Sequence, residues 1–218
     1  MEATFQLLQT KIASLFSQES SGHDFDHLTR VFNLALHLQE TEGGNREVIG
    51  LAALAHDIHR LIQNERGSHC SPKESLPKVT EVLAELNLDS RIQEQVLHCI
   101  EFHEEYAFSA TGVTVTDIET LILQDADNLD AIGAIGIART FVYSGAHGVR
   151  MWDPAVPFEE QAYDDSKHDA STLHHFHNKL LRLSGNMNTA TGKKMAQARH
   201  EVMEAFVEQF MGEWKGER

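Results

Sequence analysis

Residues 51–60 read LAALAHDIHR. The first five are apolar, as in a helix buried on every side; His56 and Asp57 then follow at once, with His59 and Arg60 close behind. A core helix gains nothing from a carboxylate and imidazoles at its buried end. A charged carboxylate inside an apolar bundle costs several kcal/mol unless it is paired or bound to a metal ion. The decapeptide therefore has to be read together with whatever polar groups the rest of the chain can bring to it.

Working outward, nearly every patterned segment has the helical period. HDFDHLTRVFNLALHLQE (23–40) has Ser21 and Asp24 as N-caps and stops before Gly43-Gly44. Within it His27, Val31, Leu34 and Leu38 share one face, which places His27 on the buried stripe. The spacing predicts further helices over about 47–60, 74–87 and 90–104. Another starts from Thr116 or Asp117 through IETLILQDADNLDAIGAIGIARTFVYSG (118–145), with a break expected among Gly133, Ala134, Gly136 and Ala138. Residues 144–172 carry Gly145, Gly148, Pro154 and Pro157 and read as a loop or lid. Two last helices are expected near 172–183 and 189–213, the second capped by Thr189. With no alternating strand pattern, hairpin signal or internal repeat, the predicted fold class is all-α.

Composition narrows the function. The chain has 218 residues, 41% hydrophobic and 23% charged, within the range of soluble globular proteins. No apolar stretch is long enough to span a bilayer. The opening MEATFQLLQTKIASLF carries Glu2 and no small-residue cleavage site, so a first amphipathic helix is expected there rather than a leader. Cys70 and Cys99 form no disulfide framework or CxxC pair, and a reducing, cytoplasmic setting is the expectation. A formal net charge of −15 argues against a nucleic-acid polymer or an anionic membrane as partner. It leaves room for a small anionic substrate if metal ions reverse the field locally. Fourteen histidines stand out, because histidine is the commonest metal ligand.

Four residues qualify as a ligand set: His27, His56, Asp57 and Asp125, each in or at the end of a helix with apolar neighbours. Two imidazoles and two carboxylates suit a divalent ion such as Mn, Ni, Co, Fe, Mg or Zn, and four protein ligands leave octahedral positions for water and substrate. Asp127 and Asp130, in QDADNLD (124–130), are expected to orient ligands or cap, since Asp127 faces away from Asp125 on a continuing helix. The residue types alone leave a set of satisfied core polar groups as an equal alternative. Nucleophilic chemistry has little support: there is no GxSxG elbow, and Cys99 diverges from its neighbour His98 on a helix.

HDFDHLTRV, LAALAHDIHR and LILQDADNLDAIGAIGIARTFVYSG together carry the ordered signature H…HD…D, and in this the chain resembles the HD-domain metal-dependent phosphohydrolases. With LHHFHNKLLRLSGNMNTATGKKMAQARH (173–200), it resembles a stand-alone bacterial branch whose members are described as nucleotide pyrophosphohydrolases or left unassigned. The resemblance implies one HD domain over 1–218, with a core of about 20–130 and a helical extension over about 131–213. It implies a metal at His27, His56, Asp57 and Asp125, with Asp57 as the catalytic carboxylate. It also implies hydrolysis of a phosphoester or phosphoanhydride of a small phosphorylated substrate, a nucleotide, and leaves a homodimer open. His98 and His103, in VLHCIEFHEEY (96–106), become candidates for a second metal or for the substrate phosphate. Arg60 stands where related subfamilies place Glu or Lys, and it keeps a cation for a phosphate oxygen. Arg139, Lys179 and Arg182 are further anion contacts to consider, while His59 reads as a bystander. The alternatives from other classes are a di-iron oxygenase of HD-like fold and a non-catalytic nucleotide-binding sensor.

Overall fold

The computed structural model describes residues 1–108, 113–158, 163–164 and 169–218. Parts of the expected 144–172 lid (159–162 and 165–168) lie outside the described residues. Among those described, the regular elements are helices and no strand forms, so the fold class is all-α. No helix among them is long and apolar enough to cross a membrane.

The chain gathers into two units, Met1–Glu105 with Val113–Asp127, and Tyr106–Gly112 with Asn128–Arg218. In the first unit α1 (Glu2–Leu15), α2 (Phe25–Glu42) and α6 (Ser90–Phe102) all pack against α3 (Arg46–Ala55). The sequence explains α3 directly. Asn45 caps it, its side chain accepting from the Glu47 and Val48 N–H groups, and every residue from Val48 to Ala55 is buried. Burying a leucine such as Leu51 or Leu54 stabilises by roughly 1.5–3 kcal/mol, and this burial adds to the strong helix propensity of the Leu and Ala residues over 51–55. Gly50 allows the closest approach: a Cβ there would stand 2.6 Å from the Phe5 ring of α1.

The helix expected over about 47–60 is broken at its polar end. It stops at Ala55; His56 continues it as cap, Asp57 leaves helical geometry at φ −92°, ψ 12°, and α4 (Ile58–Arg66) starts anew. The interruption aims consecutive polar side chains around one point, which a straight helix would spread by about 100° per residue. Next comes α5 (Pro72–Leu83), opened by a Ser71–Glu74 capping box and packed on α4 and α6. Helix α6 ends two residues earlier than expected, at Phe102, with His103 as its cap.

Helix α7 (Ile118–Asp130) begins where Asp117 accepts from the Thr120 N–H at 2.9 Å, as the sequence predicts. It contributes to the first unit through Asp127 and to the second from Asn128. The expected break follows it: α8 (Gly133–Ala146) starts with Gly133 at φ +76°, where a side chain would be strained and would also press on Arg199. In the second unit α8 and α9 (Thr172–Asn178) pack together, and α10 (Ala190–Trp214) lies on α8 and on a 3-10 segment, Leu180–Asn186. The single helix expected near 172–183 is thus α9 followed by that 3-10 stretch.

Candidate metal centre

All the polar groups of interest at the LAALAHDIHR junction belong to the first unit. His27 lies in the first turn of α2, held there because the Asp24 carboxylate caps its N–H at 2.9 Å, and it is fully buried. His56, also fully buried, donates its Nδ1–H to the Ala53 carbonyl at 2.9 Å. That bond fixes the tautomer and leaves the Nε2 lone pair pointing inward, where it has no hydrogen-bond partner. Asp57 puts Oδ2 2.7 Å from His23 Nδ1 and 3.3 Å from His27 Nε2. Its other oxygen is 3.8 Å from His56 Nε2.

The second carboxylate comes from α7, and it is Asp127: its Oδ1 lies 3.5 Å from His27 Nε2 and 3.8 Å from His56 Nε2. Asp125, the residue expected there, is buried but joins none of the groups of three or more ligand atoms lying within 4.8 Å of one another among the described residues. Two positions on a helix differ by about 200°, so only one of the two aspartates can face His27 and His56. The groups that do converge are His27, His56 and Asp127; His23, His27 and Asp57; and His56, Asp57 and His103.

The electrostatics suit a cation. Burial pushes the His56 pKa down, outweighing the nearby carboxylates, and pushes that of His103 down to about 4. Neutral imidazoles, the form that ligates metals, result. Burial works to raise the Asp57 and Asp127 pKa values, yet the surrounding imidazoles, His23 and His56 for Asp57, His56 and His27 for Asp127, hold both below the ordinary carboxylate value. Two carboxylates held ionised, beside a buried His56 whose Nε2 is orphaned, fit a divalent cation at His27, His56, Asp57 and Asp127.

The remaining expected residues are placed as follows. His103 is buried, its ring centroid 5.0 Å from that of His56. His98 faces outward instead, half-exposed and 3.1 Å from Asp117 Oδ2, lining a surface cleft with Glu94 and Glu119. The five-residue step from His98 to His103 turns their side chains apart, so only His103 joins the buried groups. Arg60 is engaged by carboxylates, bonding to Glu104 through Nη2 and lying 3.7 Å from Asp57 Oδ1 through Nε. Arg139 belongs to the second unit, where its Nη1 bonds to the buried Asp130 at 3.0 Å. That ion pair accounts for its charge without a phosphate. The sequence reading passed over His23, although it stands four residues before His27, and over His59 and Glu104.

Buried histidines and aspartates converging at a helix break form a ligand set of the kind that suits a metal ion, and comparison with known proteins gives the chain a family. The HD domain profile matches residues 24–132, and the chain belongs to the HD domain family. It is 34% identical over 205 residues to the uncharacterized protein YpgQ of Bacillus subtilis, covering 93% of this chain and 89% of that one. A Lactobacillus plantarum protein of known structure is similar at 33% identity with a TM-score of 0.85, over 99% of both chains. An HD-superfamily hydrolase from Bacillus thuringiensis shares 38% identity at a TM-score of 0.71, over 98% of both. The crystal structure of YpgQ in complex with ADP is similar at 31% identity and a TM-score of 0.69, covering 98% of this chain and all of that one.

Proposed function

We propose that this chain is a divalent-metal-dependent phosphohydrolase acting on a small phosphorylated substrate, a nucleotide. The observation that carries the proposal is the convergence of His27, His56, Asp57 and Asp127 from three parts of the first unit, buried and with the His56 Nε2 lone pair unclaimed. A bound divalent ion supplies a water of lowered pKa and neutralises charge on phosphoryl oxygens. The protein's own groups do the rest. Asp57 would be the carboxylate that accepts a proton during hydrolysis, and His23, 2.7 Å away with a quarter of its side chain exposed, would lead that proton toward solvent. Nucleotide as the substrate class is supported by the ADP complex of the similar YpgQ.

The test is release of phosphate or pyrophosphate from a panel of nucleotides and phosphate esters, with Mn²⁺, Ni²⁺ or Co²⁺ and with chelator. Metal-stimulated turnover that disappears in Asp57→Ala is expected. Undiminished turnover in that variant would overturn the proposal, and tight nucleotide binding without turnover would replace it with a sensor.

A further inference from the structure

Asp127 stands in the last turn of α7, and a helix does little to hold its own last turn. The carbonyls of the final four residues, here Asp127 to Asp130, have no N–H of the same helix to accept from. The charges add to the difficulty. The last two turns carry Asp125, Asp127 and Asp130, and the last turn has no basic residue, although the helix dipole is negative at that end and disfavours further negative charge. A carboxylate that meets His27 and His56 at 3.5 and 3.8 Å is thus placed on the turn most inclined to fray.

What α7 lacks, two arginines from other helices supply. Arg199 of α10 donates from Nη1 to the Leu129 carbonyl, an acceptor it shares with the Ile132 N–H at 3.4 Å. Its stem lies over Gly133, where a Cβ would stand 3.0 Å from Arg199 Cβ and Cγ. Arg139 of α8 bonds the Asp130 carboxylate at 3.0 Å, and both side chains of that pair are largely shielded, 14% and 2% exposed. Both guanidinium groups therefore sit at the negative end of the α7 dipole, bonded to residues two and three positions beyond Asp127. We propose that Arg199 and Arg139 are positioning residues for Asp127, clamping the last turn of α7 at the rotation that directs Asp127, and not Asp125, toward His27 and His56. The clamp acts through the α7 backbone and touches neither metal nor substrate. The inference rests on the metal-centre reading of the proposed function and adds to it two residues outside the H…HD…D signature. The competing explanation is that the arginines only hold α8 and α10 to the end of α7, in which case their loss lowers stability and leaves the metal centre as it was.

The experiment titrates metal-stripped full-length protein with Co²⁺ by equilibrium dialysis and records the absorption spectrum of the bound ion. The unaltered chain is compared with Arg199→Gln, Arg139→Gln, Arg199→Lys and Val207→Ala, with folding checked by thermal unfolding. Val207, a buried α10 side chain about two turns beyond Arg199, serves as the stability control. Arg199→Gln and Arg139→Gln are expected to weaken Co²⁺ binding by about 10-fold and to shift its spectrum, as loss of a ligand's support does. Arg199→Lys is the mildest of the set: it keeps a cation at the helix end and should recover most of the affinity while retaining part of the spectral shift. Val207→Ala should lower Tm and leave affinity and spectrum unchanged. Unchanged affinity and spectrum in the folded arginine variants, or the same losses in Val207→Ala, would overturn the inference and leave the proposed function standing. An unaltered chain that binds no Co²⁺ would remove the metal centre itself, and the inference with it.

Discussion

Histidines occur in both units, and the contrast between two clusters of them separates a site from a scaffold. In the first unit His56, His59 and His103 each give one ring proton to a backbone carbonyl and leave the second nitrogen buried and unmatched. In the second unit the HHFHNK tract, equally dense, is resolved differently. His174 is buried with both nitrogens matched, Nδ1 accepting from the Ser171 hydroxyl at 2.7 Å and Nε2 donating to the Val156 carbonyl at 3.2 Å. His175 bonds to Asp169 at 2.7 Å, and His177 lies against the Phe158 ring, 3.8 Å between centroids. His174 is as buried as the three histidines of the first unit, and what sets it apart is that both its ring nitrogens are matched. A buried acceptor without a donor is what natural proteins avoid unless a ligand completes it.

The sharpest way to break the comparison is to remove the ion. Chelation, or Asp57→Ala, is expected to reduce metal-stimulated hydrolysis to background, since one change removes the ion and the other a carboxylate facing His27, His56 and His59. Next in size is the pair Asp127→Ala and Asp125→Asn. The first should lose one equivalent of bound metal and nearly all turnover; the second should keep its metal. Metal content by elemental analysis decides between them, and the opposite pattern would return the ligand role to Asp125.

That pair also marks how far the sequence could be read. Caps at Asp24, Asp117 and Thr189, the break before Gly133 and the burial of His27 were legible because each depends on residues adjacent in the chain or on helical period. The choice between Asp125 and Asp127 depends on the rotational phase of α7 against two other helices, which no local pattern encodes. His59 was unremarkable for the same reason. Its partners His103 and Glu104 are more than forty residues distant, and it meets them only because Asp57 breaks the helix and resets the direction of α4.

His23→Ala sharpens the comparison from inside the site. His23 sits behind Asp57 and is not in the group formed by His27, His56 and Asp127, so its loss should weaken metal affinity or turnover by about 10–100-fold rather than abolish them. Dialysis and kinetics would check this; an unchanged enzyme would detach His23 from the centre. His174→Phe in the second unit should do the reverse, leaving metal stoichiometry unchanged. Stability should drop by about 1–3 kcal/mol in denaturant unfolding, because the Ser171 hydroxyl and Val156 carbonyl lose their partner.

The smallest expected effect tests whether the second cluster is purely structural. Asp169 is partly buried, which alone would raise its pKa, but hydrogen bonds from His175 and Asn178 outweigh burial and hold it below the ordinary carboxylate value. A carboxyl whose pKa is lower folded than unfolded binds fewer protons in the folded state. Its contribution is complete above the unfolded carboxylate pKa and is lost as pH falls through the depressed folded value. Asp169→Asn should therefore flatten the acid side of the stability–pH curve and leave its neutral-to-alkaline shape unchanged, with metal binding unaffected throughout. A change in metal stoichiometry instead would mean that the matched histidines of HHFHNK serve the metal centre as well, and that a filled set of hydrogen bonds does not by itself mark a scaffold.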